Sequence, residues 1–240
     1  MPKLWTNNPE FQAAFIHREI ERQGRKILPV TNLVDVHEEQ RALENNRLIV
    51  AEYLNRDDIL LCLGKQVHGS HVACTNKPGI LEATDGLVTD QPGLAVGVLV
   101  ADCAALLFAD PINKIIAAVH AGWRGVLSGI IPEAIREMEK IGAEPDLVHV
   151  YISPCISTQS FEVGEEVASQ FSDRYVDRTQ KKPHVDLRAF IEDQLLTSGI
   201  LEDMISRDEK CTLRHPQTLH SHRRDGLQSG RMMGVIFISE

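Results

Sequence analysis

The sequence contains no long hydrophobic run, and none of its apolar stretches reaches the roughly 18 uncharged residues that a membrane-spanning helix needs. The N-terminal segment MPKLWTNNPEFQAAF lacks the basic and apolar regions of a secretory signal. The five cysteines are odd in number and include no C-x-x-C pair, which argues against a disulfide framework. We therefore expect a cytoplasmic protein with reduced thiols and without a membrane partner.

Common nucleotide-binding motifs are also absent, because the sequence has neither a P-loop nor a G-x-G-x-x-G segment. A formal net charge of −9 argues against nonspecific binding to nucleic acid, although it is compatible with a local basic pocket for a small anion. No repeat, low-complexity segment or Pro/Gly/Ser-rich linker divides the chain. With a hydrophobic content of 43%, residues 1–240 are predicted to form a single domain around a sizeable core.

The periodicity of apolar residues predicts a mixture of helices and strands. Helices are predicted over 38–55, 126–141, 161–171 and 185–200, and strands over 59–63, 85–90, 94–100, 105–110, 115–120, 148–154 and 232–238. Asp110, Pro111 and Asn113 favour a turn, so the strands on either side form a hairpin. Pro132 either kinks the second helix or separates two helices. The predicted fold class is therefore α/β (α+β) with largely antiparallel sheets.

The predicted hairpin brings a cysteine and a histidine to one end of a sheet, because Cys103 precedes its first strand and His120 ends its second strand. Together with His68 in the segment KQVHG, they have the composition of a three-ligand zinc site whose fourth position is open to water or substrate. Each residue alone has an ordinary interpretation, as an inert buried thiol or as a surface imidazole. Nearby glycines, which let the backbone approach a ligand, favour the metal site.

A second cluster of candidate residues is basic. The segment SHRRDGLQSGR contains Arg223, Arg224 and Arg231, whose guanidinium groups suit phosphate or carboxylate. A solvated basic turn explains the same composition equally well. Arg124 lies four residues beyond a predicted ligand and favours the anion site. The neighbouring Trp123 could stack on a base, although a tryptophan between a strand and a helix also fits the core.

Several motifs of the sequence resemble the YfiH-like family, also called the laccase-domain family and formerly labelled multicopper polyphenol oxidase. They are KQVHG, DGLVTD, ADCAALLFAD, HAGWRG, ISPCI with FEVG, and RRDG-x-x-SGR, in matching order over about residues 59–240. The resemblance implies a layered sandwich of mostly antiparallel sheets flanked by helices, shared with toxin-type cysteine hydrolases. It also implies a purine nucleoside phosphorylase for adenosine, inosine, guanosine and methylthioadenosine, with adenosine deaminase activity and His68, Cys103 and His120 as zinc ligands.

The N-terminal part resembles this family less. The segment HREIERQGRK replaces a glycine-rich stretch, while Asn-Leu at 32–33 and Asn-Arg at 46–47 correspond to two pairs that the family carries. By this correspondence Arg47 joins Arg124, Arg223 and Arg224 as a predicted substrate contact. The predicted partners are purine nucleosides and inorganic phosphate.

Three other functions compete with this prediction. A cysteine-dependent amidase acting on peptidoglycan precursors would use Cys103 as a nucleophile activated by a histidine, a role for which a thiolate held by zinc is unsuited. A laccase needs several more histidines than the pair His220 and His222 adds, so copper is less favoured than zinc. A zinc-stabilised binding module would unfold upon chelation and show no turnover.

The residues predicted to be catalytic are the three ligands, Cys103, His68 and His120. Candidate proton carriers are Asp85, Asp102, Glu162 and Asp225, each adjacent to a motif. An aspartate at a strand end is also a common cap or turn former. The H-x-E and P-C-x-x-C signature of cytidine-type deaminases is missing, since ISTQ follows the Pro-Cys at 154–155. Deamination by this chain would therefore use another design.

Overall fold

Apolar runs bounded by turns form the principal strands of the protein. The structure is a computed structural model that describes residues 10–17, 20–22, 25–27 and 36–239, so the predicted correspondence at 32–33 lies outside the described residues. The strands are β1 Phe11–Ile16, β2 Ile20–Arg22, β3 Arg25–Ile27, β4 Leu60–Gly64, β5 Val72–Cys74, β6 Gly79–Leu81, β7 Gly86–Thr89, β8 Leu94–Val100, β9 Ala104–Asp110, β10 Ile115–Ala121, β11 His149–Ile152, β12 Val176–Asp177, β13 His184–Val185, β14 Ile205–Arg207 and β15 Met232–Ile238. The helices are α1 Val36–Leu54, α2 Trp123–Leu127, α3 Ile130–Lys140, α4 Glu165–Ala168, α5 Leu187–Thr197 and α6 His222–Asp225.

Most of the described strands lie in two large sheets. The first sheet has the order β1-β15-β8-β4-β6, and the second has the order β14-β11-β9-β10-β7-β5. Antiparallel pairing predominates. However, β4 pairs in parallel with β8 and β6, and the edge strands β5 and β14 pair in parallel with β7 and β11. The predicted mixed and mostly antiparallel fold is therefore confirmed.

The two sheets pack face to face, and helices cover their outer faces. One buried cluster combines residues of both sheets, a second combines the second sheet with α3 and α5, and a third combines the first sheet with α1. Members of the clusters are Val98 and Leu107 between the sheets, Phe108 and Ile135 outside the second sheet, and Leu61 and Val50 outside the first. Burying each such side chain stabilises the fold by about 1.5–3 kcal/mol. The predicted layered sandwich is confirmed, while its likeness to toxin-type cysteine hydrolases stays a prediction.

The segment around Pro132, which was predicted to form either one kinked helix or two helices, forms two separate helices. Gly129 has a left-handed φ of 85° and separates α2 from α3. Pro132 is the third residue of α3, where a backbone N–H has no intrahelical acceptor, so its missing donor costs nothing there. The predicted helices over 38–55 and 185–200 correspond to α1 and α5 within a few residues. Among the described residues, no helix combines the length and the apolar composition needed to cross a membrane.

The prediction of one helix over 161–171 is wrong. Only α4 is helical there, and the residues before it are extended. The Val163 N–H donates to the carbonyl of Pro183, and the Phe161 carbonyl accepts a hydrogen bond from the Val185 N–H. These bonds to a segment about twenty residues away hold the backbone in a strand-like form that the local sequence pattern does not reveal.

The hairpin of β9 and β10 has the predicted antiparallel arrangement. Its register pairs Ala105 with His120 and Ala104 with Ala121. Cys103 directly precedes β9, so it lies beside the end of β10 that carries His120. Both strands are buried along their whole length, because one face contacts the first sheet and the other contacts the helices. The core of the protein therefore fixes this pair of candidate ligands.

Candidate metal centre

The turn after β4 carries His68. His68 has a left-handed φ of 61°, which is unusual for a residue other than glycine. Hydrogen bonds hold the turn in this form, since the backbone N–H groups of Val67, His68 and Gly69 all donate to the Asp85 carboxylate. The His68 ring is exposed and lies edge-on to the His120 ring, with 4.7 Å between the ring centroids.

The turn between β8 and β9 carries Cys103. The preceding Asp102 also has a left-handed backbone, with a φ of 82°. Its carbonyl accepts a hydrogen bond from the Ile156 N–H. Its carboxylate accepts hydrogen bonds from the Thr212 hydroxyl at 2.5 Å and from the Arg223 N–H at 2.6 Å. Asp102 therefore connects the turn of the cysteine to the basic segment that follows residue 220.

The side chains of His68, Cys103 and His120 converge on one point, as predicted. Their ligand atoms all lie within 4.8 Å of one another. Thiolate sulfur and imidazole nitrogen are donors that zinc prefers, at bond lengths of about 2.0–2.3 Å. One ion therefore fits among these three side chains with small adjustments, and the exposure of His68 leaves a side of the site open to the cavity.

Electrostatics favour the ionised thiol. Burial of Cys103 opposes ionisation, but the charge on His120 and hydrogen bonds from His120 and His68 outweigh it and lower the pKa of the thiol to about 6. Burial also opposes protonation of His120, but the Cys103 charge and the Asp85 hydrogen bond raise the pKa of its ring to about 9. At neutral pH the cysteine is therefore a thiolate, which is the form that binds metal and the form that attacks electrophiles.

Asp85 is the buried partner of His120. Its carboxylate is 0% exposed and accepts a hydrogen bond of 2.8 Å from His120 Nδ1. Burial alone would raise the pKa of this carboxyl, but hydrogen bonds from His120 and from the backbone N–H groups of Val67 and Gly69 lower it. Asp85 is thus an anion whose oxygens already accept hydrogen bonds.

A cavity of about 540 Å³ opens beside the three ligands. This volume lies within the range of about 300–1,000 Å³ that is typical of small-molecule sites. Cationic side chains on its wall are Lys65, Arg124, Arg223 and Arg231. Apolar side chains on its wall include Trp123, Ile156, Phe161 and Leu187. The cavity therefore combines candidate metal ligands with soft donor atoms, positive charge and an apolar surface.

The predicted arginines occupy different environments. Arg124 lines the cavity, and its guanidinium lies 4.2 Å from the centre of the Trp123 ring. Arg223 also lines the cavity and donates to the carbonyl of Glu162. Arg224 is not among the lining residues, because its guanidinium donates to three backbone carbonyls and to Asp225.

Arg47 and two of the predicted proton carriers lie elsewhere. Arg47 forms an ion pair with Glu44 on the surface of α1 and is not among the cavity-lining residues. Glu162 is paired with Lys182, and Asp225 is paired with Arg224. Of the His-x-His pair, His222 lines the cavity. No structural observation tests the predicted substrate contacts directly, and they stay predictions.

Sequence reasoning missed several wall residues. Lys65 and Gln66 belong to the motif that predicted His68, and the Gln66 amide exchanges two hydrogen bonds of 2.8 Å with the backbone of Leu99. Phe161 lies in the segment that was predicted to be helical. The only signal for it was that its motif FEVG belongs to the set that carries the family resemblance.

The fold and the site define a mixed α/β protein with a His-Cys-His centre at a cationic cavity. Residues 14–239 match the family described as Multi-copper polyphenol oxidoreductase laccase. The chain belongs to this family, which confirms the resemblance seen in its motifs.

Alignments with two named relatives and with one solved structure cover most of the chain. The purine nucleoside phosphorylase Cgl2154/cg2365 of Corynebacterium glutamicum is 35% identical over 216 residues, which is 86% of each chain. Adenosine deaminase RL5, from an unknown prokaryotic organism, is 30% identical over 233 residues, which is 89% of each chain. The crystal structure of the hypothetical protein YfiH from Bacillus licheniformis has a TM-score of 0.82 and 25% identity, with 95% of this chain and 93% of that chain covered.

Proposed function

We propose that this protein is a zinc-dependent purine nucleoside phosphorylase that accepts adenosine, inosine, guanosine and methylthioadenosine and also deaminates adenosine. The observation that carries the proposal is the convergence of three candidate metal ligands and several cationic side chains on one cavity of suitable size. The names of the relatives support the same reaction class. His68, Cys103 and His120 would hold the zinc ion, which would supply Lewis-acid charge to the cavity when bound.

The reaction makes definite demands on the cavity. A phosphate oxygen forms a bond to C1′ of the ribose while the bond from C1′ to the purine nitrogen breaks. The electron pair of that bond leaves with the purine, which then takes up a proton. The site must therefore hold an anion beside a sugar that acquires positive charge, and it must keep both in register.

Arg124 is the side chain best suited to hold phosphate. Among the described residues it has no carboxylate or carbonyl partner, and its guanidinium stacks on Trp123 with its donors unused. Arg223 adds a second guanidinium at the same cavity, close to the Phe161 ring. Charge-assisted hydrogen bonds from such groups are roughly twice as strong as neutral ones.

The apolar wall is suited to the purine and the ribose carbons. Ile156, Phe161 and Leu187 provide a surface that excludes water, and a planar base fits against an aromatic ring. Exclusion of water strengthens the attraction between the arginines and phosphate, because the local dielectric is lower. It also limits simple hydrolysis of the nucleoside.

The test is a product analysis with protein of known metal content. Adenosine and inosine are incubated with and without inorganic phosphate, and the products are separated. Phosphate-dependent release of adenine or hypoxanthine, with about one zinc per chain, is the expected result. Inosine formed from adenosine without phosphate would show deamination. Absence of both reactions in zinc-loaded protein would contradict the proposal.

Cysteine variants supply the matched control. Cys103→Ala removes a proposed ligand and is expected to abolish turnover while the fold persists. Cys74→Ala removes an exposed thiol outside the cavity lining and is expected to keep full activity. Full activity in Cys103→Ala would rule the mechanism out.

Arginine variants test the phosphate role. Arg124→Ala and Arg223→Ala are expected to raise the KM for phosphate, each by about tenfold or more, because a charge-assisted bond contributes about 1.5–3 kcal/mol. Arg136→Ala removes a surface arginine of α3 that pairs with Glu133 and serves as the control. Equal KM values in all three variants would remove this role. Arg47→Ala and Arg224→Ala test the other two predicted substrate contacts by the same KM measurement.

The alternative function is a cysteine-dependent amidase, which the names of the relatives do not support. A thiolate beside an imidazolium is the pair that a cysteine nucleophile requires. Zinc and the nucleophile role compete for one sulfur, so metal content separates the two functions. Turnover of an amide substrate by metal-free protein, with loss of activity when zinc is added, would favour the amidase.

A further inference from the structure

A single carboxylate connects two of the three candidate ligands. Asp85 Oδ1 accepts hydrogen bonds from the His68 N–H at 2.9 Å and from His120 Nδ1 at 2.8 Å. Its Oδ2 accepts from the N–H groups of Val67 at 3.0 Å and Gly69 at 2.9 Å. One oxygen therefore touches both the backbone of one ligand and the ring of another.

The contact with residues 67–69 explains the backbone of His68. Successive N–H groups that converge on one anion form a concave turn, and the central residue of such a turn adopts a left-handed conformation. His68 has this conformation, with a φ of 61°. The carboxylate thus sets the direction in which the His68 side chain leaves the backbone.

The contact with His120 fixes its ring. A hydrogen bond to Asp85 keeps a proton on Nδ1, which leaves Nε2 as the nitrogen with a free lone pair when the ring is neutral. A Cβ built on Gly122 would lie 3.6 Å from Nε2 of His120, 3.0 Å from Cys103 Sγ and 3.2 Å from Cδ2 of His68, so Nε2 lies near atoms of both other ligands. Asp85 therefore directs Nε2 of His120 toward the other ligands.

We propose that Asp85 is a positioning residue for the metal centre, and that it presets the geometry of His68 and His120 together. The inference rests on the metal site of the proposed function but not on its substrate. Asp85 is not one of the three groups that converge on the site, yet its hydrogen bonds determine where two of them stand. Loss of such a partner typically weakens metal affinity by about 10–100-fold.

The matched comparison is between two buried aspartates. Asp85→Asn keeps the shape of the side chain but turns one acceptor into a donor that faces N–H groups. Asp110→Asn makes the same change at the far end of the β9–β10 hairpin, where the carboxylate is also 0% exposed. Asp110 accepts hydrogen bonds from the N–H groups of Ile112, Asn113 and Glu144. Both variants therefore lose comparable backbone contacts, but only one of them touches the ligands.

Zinc affinity is measured by competition with a chromophoric chelator, without nucleoside or phosphate. Asp85→Asn is expected to bind zinc about 10–100-fold more weakly than the unmodified protein. Asp110→Asn is expected to keep the original affinity while its melting temperature falls to a similar extent. Unchanged affinity in Asp85→Asn, or an equal loss in Asp110→Asn, would overturn the proposal. Because no substrate is present, the outcome is independent of whether phosphorolysis is found.

A second measurement needs no variant, which matters if Asp85→Asn does not fold. Nitrogen-15 NMR of the histidine rings in the zinc-loaded protein reports which nitrogen of His120 carries the proton. The expected spectrum has the proton on Nδ1 and the metal on Nε2. A spectrum with the metal on Nδ1 would overturn the proposal, because Asp85 could not then hold that nitrogen.

Discussion

Replacement of Gly122 by alanine is the most direct test of the metal centre. Gly122 precedes α2 with φ −83° and ψ 157°, a conformation that alanine adopts without strain. A Cβ at this position would lie 3.0 Å from Cys103 Sγ, 3.2 Å from Cδ2 of His68 and 3.6 Å from Nε2 of His120. One methyl group therefore reaches all three ligands.

The size of the effect follows from these distances. Non-bonded heavy atoms prefer separations of about 3.5–4.0 Å, so the methyl pushes the sulfur and the His68 ring by several tenths of an ångström. Metal–ligand distances tolerate only about 0.2 Å. We expect zinc affinity to fall by about 10–100-fold, which corresponds to about 1.4–2.8 kcal/mol. The gain of about 0.4–1 kcal/mol that a glycine-to-alanine change gives at a compatible φ opposes the cost of this overlap in the metal-free chain, so its free energy of unfolding should change less than its zinc affinity.

The assay separates affinity from folding. Chelator competition gives the zinc affinity, and urea unfolding of the metal-free protein gives the free energy of unfolding. Gly69→Ala is the matched control, since its Cβ would meet only ordinary contacts of 3.5 Å with Asp85 and Val67. Unchanged zinc affinity in Gly122→Ala, or the same loss in Gly69→Ala, would refute the assignment of this centre.

Three further predictions concern other parts of the molecule. Asp102→Asn is expected to raise the KM for phosphate in initial-rate assays without altering zinc affinity. The reason is that the Asp102 carboxylate accepts a hydrogen bond from the backbone N–H of Arg223 and touches no ligand side chain. An unchanged KM would count against this link. Gly125→Ala would place a Cβ 2.7 Å from the backbone carbonyl of Gly69, so urea unfolding should show a loss of about 1–3 kcal/mol, and wild-type stability would contradict the packing. Burial, with a smaller contribution from nearby charge, lowers the pKa of His17, so the unfolded chain takes up a proton that the folded chain resists. Stability from this residue is present above its ordinary pKa of 6.5 and is lost as pH falls below it, and His17→Phe should reduce the drop in unfolding free energy between pH 7 and pH 5; an equal drop in both proteins would argue against this role.

The strands that the sequence predicts well are those whose signals are local. β8, β9 and β10 are apolar runs that end at Gly, Asp or Pro, and the structure reproduces their bounds within a residue or two. Because two such strands form a hairpin, the approach of Cys103 to His120 follows from antiparallel pairing alone. The prediction that His68 joins these two residues came from its residue type and from the family resemblance.

Features that depend on distant partners could not be predicted in this way. β1 pairs with β15, whose residues lie more than two hundred positions later in the chain, and its own pattern is ambiguous. The sequence indicated Asp85 only as a candidate proton carrier. No local pattern shows that four hydrogen-bond donors from two distant segments converge on its carboxylate. Arg223 and Arg224 are adjacent in sequence, yet one guanidinium lines the cavity and the other binds backbone carbonyls. Only the packing of the short helix α6 distinguishes them.

The turn and the strands of the β9–β10 hairpin differ in how much change of sequence and length they tolerate. Cys103 and His120 stand at one end, and the turn at 111–114 stands at the other, with two seven-residue strands of about 20 Å between them. Ile112 in that turn is 69% exposed, so a different loop or an inserted reporter peptide there would leave the strand register intact. One residue inserted within β10 would instead turn His120 to the opposite face of the sheet. The turn at 111–114 is therefore a suitable attachment point for an inserted peptide, because it is far from the candidate metal ligands. The strands themselves tolerate no change of length.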